Sequence, residues 1–101
     1  MEIYFEVISS SGVKIRTTKD YWEYLIDKKH PLMKGKEGIV KEILVNPDEI
    51  RRSLIDEKVH LYYKQMDRLY CVAVKYVNGE GFLITAYPTD KVREGEIIWT
   101  K

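Results

Sequence analysis

Hydrophobic and polar residues alternate at the start of the chain. Ile3, Phe5 and Val7 fall on one side of an extended segment and Glu2, Tyr4 and Glu6 on the other, the period of a half-buried strand over residues 2–8. Ser9-Ser10-Ser11-Gly12 is turn composition, and Val13 and Ile15 then alternate with Lys14 and Arg16. Residues 2–17 therefore read as a hairpin. The period next changes to that of a helix. Tyr21, Trp22, Leu25 and Ile26 recur at helical spacing with the Lys29 stem, and Thr17 or Thr18 stands where a cap belongs. His30-Pro31 stops the run, because a residue before proline is pushed out of the α region. This gives a helix over about 19–29. A second stripe, Ile39, Val40, Ile43 and Leu44, predicts a helix over about 35–45. Gly35 and Gly38 weaken its first turn and Asn46-Pro47 ends it.

From Ile50 onward the pattern is that of strands. Asp48–Ser53 fits a helical turn or a short strand, with a strand at Ile50–Ser53 preferred, and Leu54–Lys58 reads as a loop. Val59–Gln65, Leu69–Val77 and Gly81–Tyr87 are the strong strands. Leu69–Val77 is apolar on both faces, which suits a central strand, and Asn78-Gly79 is a hairpin signal. Glu94-Gly95-Glu96 turns into a last strand, Ile97–Thr100. The expected architecture is α+β. Two helices pack on one face of an antiparallel meander sheet of four to six strands, the meander spanning 50–89, in a single domain of residues 1–101. The other sheet face is expected to be partly open.

Composition narrows the setting. The chain has 101 residues, 45% hydrophobic and 33% charged, a balance that supports a packed core and excludes a disordered chain. Cys71 is the one cysteine, so no intrachain disulfide forms; it sits in an apolar run where burial is expected. With no signal peptide and no apolar run near the roughly 20 residues of a membrane helix, the reading is cytoplasmic. Net charge is +1, but residues 28–52 hold seven basic against four acidic side chains. That local excess fits phosphate contact and equally fits a solvated helix surface.

Few residues offer chemistry. His30 and His60 are far apart and the cysteine is single, so no metal pattern appears and no cofactor is expected. No phosphate-binding glycine loop and no nucleophile elbow is present. His60, Tyr62 and Lys64 share one face of their strand; Thr85 and Tyr87 are the polar members of theirs, and the register can bring the two sets together. Arg51 or Arg52 reaches that face from the edge, one pointing in and one out. The same side chains also read as β-formers on a wet face. His30 stands at a helix C-terminus, where the dipole raises the imidazole pKa and suits it to act as a general acid; it also reads as a residue bonding the last free carbonyls.

These residues carry a resemblance. KHPLMKGKEGIVKEIL, then NPDEIRRS, HLYYK, CVAVKYVNGEGFLITAY and EGEIIW resemble, over roughly residues 18–100, the phage-type members of the barnase–EndoU–colicin–RelE-like nuclease superfamily. The resemblance implies helices on a four-stranded antiparallel meander and metal-independent RNA cleavage. In that reaction the ribose 2′-hydroxyl attacks the adjacent phosphorus. It implies His30 as the helix-terminal histidine, Arg51 as a phosphate-holding arginine, and Thr85 and Tyr87 as the polar pair on the last core strand. Strand alternation adds Lys64 and Tyr62, with Arg52, as substrate-binding residues beside them. The chain departs from the pattern in lacking an obvious carboxylate base on that face, since Glu49 and Glu80 read as turn residues. RNA is the implied substrate and an antitoxin protein the implied partner. Two other readings stand beside it: a non-catalytic RNA- or protein-binding domain of the same fold, and an interaction module using a strand edge at Ile50–Ser53 or Ile97–Thr100.

Overall fold

The structure, a computed structural model, describes residues 2–92 and 95–101. The expected hairpin forms from β1 (Ile3–Ile8) and β2 (Lys14–Thr18), paired antiparallel. Its alternation breaks once. Ile3 lies opposite Thr18 and Phe5 opposite Thr17, so a bulge puts Ile3 and Phe5 on opposite faces. Phe5 enters the core at 7% exposure and Ile3 stays out at 47%.

Thr18 is the helix cap, its Oγ1 accepting the Tyr21 N–H at 3.1 Å. α1 (Lys19–Tyr24) runs on through a wider π-helical turn, Leu25–Lys29, so the helical stretch closes where Pro31 requires. A 3₁₀ turn, Pro31–Met33, leads to α2 (Glu37–Val45), which starts two residues later than the pattern suggests. Gly35 has φ 79°, a left-handed conformation that a helix cannot contain. Val40, Ile43 and Leu44 are fully buried.

The meander is β3 (Glu49–Arg52), β4 (Val59–Gln65), β5 (Leu69–Val77) and β6 (Glu80–Pro88), each antiparallel to the next. Asn78 and Gly79, with φ of 52° and 82°, form its doubly left-handed hairpin turn. The sheet is larger than expected and mixed. Its seven strands run in the order β1-β2-β6-β5-β4-β3-β7, where β7 is Glu96–Thr100. β2 lies parallel to β6 through Ile15 opposite Gly81 and Arg16 opposite Phe82. β7 pairs antiparallel with β3, so Ile50–Ser53 is an interior strand and not an edge. Glu94 of the expected final turn lies outside the described residues.

The sheet has two unequal faces. On one, Ile50, Tyr62, Tyr70, Val72 and Val74 pack against Trp22, Leu25, Val40, Ile43 and Leu44 of the helices. On the other, Leu61, Tyr63, Cys71 and Ala73 form a smaller buried cluster, with Val92 of the β6–β7 connection packed on it. The centre of the second face is therefore covered rather than open. Among the described residues no helix is long and apolar enough to cross a membrane.

Candidate functional site

Strand register assigns each polar residue to a face, because directly opposed partners lie on the same side of a sheet. One row across the sheet is Arg51, Leu61, Ala73 and Thr85; the next is Glu49, Tyr63, Cys71 and Tyr87. Both rows lie on the face away from the helices. Arg51 Nε donates to Glu49 Oε2 in an ion pair whose side chains are each 22% exposed, and Arg51 Nη1 donates to the Gly95 carbonyl at 3.4 Å. The Thr85 hydroxyl is buried and has no hydrogen-bond partner among the described residues.

His30 joins this face around the edge of β6. β2 leaves β6 after Arg16, so among the described residues no strand lies on that edge of β6 beyond Phe82. The helical stretch takes that place: Tyr21 Oη donates to the Ile84 carbonyl at 2.6 Å and Lys29 Nζ to the same oxygen at 3.3 Å. The next residue, His30, donates its backbone N–H to the Leu25 carbonyl at 2.8 Å and stacks its ring on Tyr87, centroids 5.0 Å apart at 30°. Partial burial lowers the His30 pKa and the adjacent Lys29 ammonium lowers it further. Both influences oppose the rise expected from the helix terminus. Desolvation and a like charge both penalise the imidazolium, so at neutral pH the ring is suited to take a proton rather than give one.

Three sequence candidates do not join them. Tyr62 is fully buried beneath the helices, its hydroxyl bonded to the Tyr76 hydroxyl and, at 3.3 Å, to Ser11 Oγ. Lys64 lies on the same helix side and donates to the Asn46 carbonyl at 2.8 Å, with Asp48 Oδ1 at 3.7 Å; it pins the α2–β3 connection. Arg52 points opposite to Arg51 and pairs with Glu96 at 2.9 Å. A β-strand offers two faces, and the packing of the helices puts Tyr62 and Lys64 on the one that Thr85 and Tyr87 do not share.

Asn46-Pro47-Asp48 just before Glu49 is turn composition, and it hides Glu49 in the sequence. β3 begins at Glu49, and the spacing Glu49, Arg51 around buried Ile50 is the two-residue period that places both charges on one face. A carboxylate thus does stand on the face of Arg51, Thr85 and Tyr87. The group is spread out: three strand spacings, on the order of 14 Å, separate the backbones of Glu49 and Tyr87. Among the described residues no cluster of His, Cys, Asp and Glu could hold a metal ion. In comparisons with known proteins, no family model, no curated protein and no solved structure matches this chain.

Proposed function

We propose that this protein is a metal-independent ribonuclease of the barnase–EndoU–colicin–RelE-like type. The observation that supports it is the gathering of His30, Tyr87, Thr85, Arg51 and Glu49, from three separate segments, on the sheet face away from the helices. The neutral His30 imidazole accepts the proton of the ribose 2′-hydroxyl. The 2′-oxygen attacks phosphorus, the P–O5′ bond breaks, and water protonates the departing 5′-oxygen, leaving a 2′,3′-cyclic phosphate. Arg51, three strand spacings from Tyr87, holds a neighbouring phosphate of the RNA and so positions the strand, with Glu49 orienting its guanidinium. The Tyr87 ring, stacked on His30, fixes the orientation of the imidazole. On this reading the setting is the cytoplasm, and a toxin-like role brings with it an antitoxin protein as partner.

A second reading has its own support. Arg51 is already ion-paired with Glu49, and Val92 lies over the centre of the face. A face so committed to packing suits a domain that binds RNA without cutting it. Incubation with single-stranded RNA in excess chelator separates the two. The nuclease reading expects cyclic-phosphate ends, lost on His30→Ala and reduced on Arg51→Ala. Intact RNA, bound with an affinity that falls steeply with salt, supports the binding domain instead.

A further inference from the structure

Two of the most exposed apolar side chains among the described residues are neighbours. Ile55 is 96% exposed and Leu54 69%, at the tip of the loop joining β3 to β4. The loop is braced. Ser53 Oγ accepts the backbone N–H groups of Ile55 at 3.1 Å and Asp56 at 3.4 Å. Asp56 Oδ1 accepts the Lys58 N–H at 2.9 Å, and Asp56 Oδ2 holds Lys75 Nζ at 3.1 Å. The Tyr76 N–H donates to the Lys58 carbonyl at 2.8 Å. These bonds hold two aliphatic side chains out into water, where they contribute nothing to the core. A preorganised apolar pair of this kind is what a protein interface uses as an anchor.

A matching cavity lies beside it. Where β2 parts from β6, a groove of about 580 Å³ opens, lined by Ile3, Thr18, Val77, Phe82 and Ile84, with Arg16 and Lys75 among its walls. It owes its shape to the bulge that turns Ile3 away from Phe5 and to the two-residue pairing of β2 with β6. Its volume is ample for two aliphatic side chains. Lys75 belongs to both features, lining the groove and gripping Asp56, so anchor and groove lie side by side.

We propose that the protein forms a two-fold symmetric dimer in which Leu54 and Ile55 of each copy fill the β2–β6 groove of the other. An anchor next to its own receptor is the arrangement that closes under a two-fold axis, each copy giving and receiving the same contact. Charge permits the exchange. Within one copy Asp56 already pairs with Lys75 at 3.1 Å and Arg16 with Glu80 at 3.3 Å, so the loop acid and the groove lysine that meet in one copy can meet between two, with Glu57 beside them. The same acids disfavour an anionic bilayer as the occupant. Neither anchor nor groove contains a residue of the proposed nuclease site, and the dimer stands or falls independently of that reading.

Analytical ultracentrifugation of the full chain from micromolar to submillimolar concentration tests it. Wild type should associate to a dimer. Ile55→Ser and, in the groove, Val77→Glu should each raise the dimer dissociation constant at least about a hundredfold, the order expected when burial of an aliphatic side chain is lost twice in each dimer. Ile55 and Val77 are 96% and 39% exposed, so neither change threatens the fold, and far-UV circular dichroism should be unaltered. Mixing the two variants should give stronger association than either alone, because the mixed dimer keeps one intact anchor–groove contact where each variant's own dimer keeps none. A wild type that stays monomeric throughout, an Ile55→Ser protein that dimerises like wild type, or variants that do not complement would overturn the proposal. So would Ile55-dependent binding to phosphatidylcholine vesicles in place of self-association.

Discussion

Thr85→Val should make the protein more stable. The Thr85 hydroxyl oxygen is buried without a hydrogen-bond partner among the described residues. A buried hydroxyl left unpaired costs roughly 1–3 kcal/mol, because its bonds to water are not replaced. Valine keeps the branched shape and substitutes a methyl group for the oxygen, and the neighbours across β5 and β4, Ala73 and Leu61, are apolar. After a small allowance for the different packing of methyl and hydroxyl, the expected gain is about 1 kcal/mol. In a domain of 101 residues that corresponds to a rise in Tm of roughly 4–8 °C. Urea and thermal unfolding followed by circular dichroism, with an unchanged m-value, measure it. A loss of stability of similar size would refute the reasoning, because it would mean that the hydroxyl is satisfied in solution. The RNA assay gives the same variant a second meaning. If Thr85 serves the proposed nuclease site, cleavage should fall as stability rises. If stability rises and cleavage is untouched, Thr85 is not part of the site.

The glycines separate two effects of adding one methyl group. Gly81→Ala would place a Cβ 2.8 Å from Ile15 Cγ1 and 3.0 Å from Val74 Cγ1, both on fully buried residues, and should cost about 1–3 kcal/mol in urea unfolding. Gly38→Ala, within α2 and with nothing inside 4 Å, should instead add about 0.5–1 kcal/mol through helix propensity and a stiffer unfolded chain. The histidines predict a pH dependence. His60 is desolvated and lies near Arg52, and both influences lower its pKa, as burial and Lys29 lower that of His30. The unfolded chain, with histidines near 6.5, then binds more protons than the folded one as pH falls below neutrality. Stability should therefore be highest above that value and decline with acid through the window below it, and His60→Asn should flatten the decline in pH-dependent urea titrations. An unchanged slope in that variant would assign the acid sensitivity to other groups.

Much of the fold was legible from local pattern. Thr17 or Thr18 before the Tyr21–Ile26 stripe, of which the structure uses Thr18, Asn78-Gly79 between two apolar runs, and the two-faced apolarity of Leu69–Val77 each answer to forces within a few residues: a cap, a left-handed turn, burial on both sides. The candidate site was legible only in part. His30, Arg51, Thr85 and Tyr87 reach one face, but Tyr62, Lys64 and Arg52 go to the other, and Glu49, just after Asn46-Pro47-Asp48, has the local composition of a turn. Tyr62 illustrates why. Its alternation with Leu61 and Tyr63 says that the three divide between two sides, but not which side the helices will cover, and both sides of β4 turn out to be buried.

By itself the sequence determined the period of each segment, and so which stretches are strand and which helix. It also set the places where the chain turns, because steric and hydrogen-bonding demands on neighbouring residues act before any tertiary contact forms. Only the tertiary structure decided the rest. The parallel seat of β2 on β6 depends on Ile15 finding the bare backbone of Gly81, and the return of β7 to β3 joins segments over 40 residues apart, as Ile97 opposite Arg51 shows. The two-residue pairing of β2 with β6 opens the groove beside β6 and leaves the strand edge around which His30 reaches Tyr87, while the β1–β2 bulge turns Ile3 toward the groove. They are contacts between distant stretches whose individual patterns fit many partners, and the choice among partners is made by how the whole core packs.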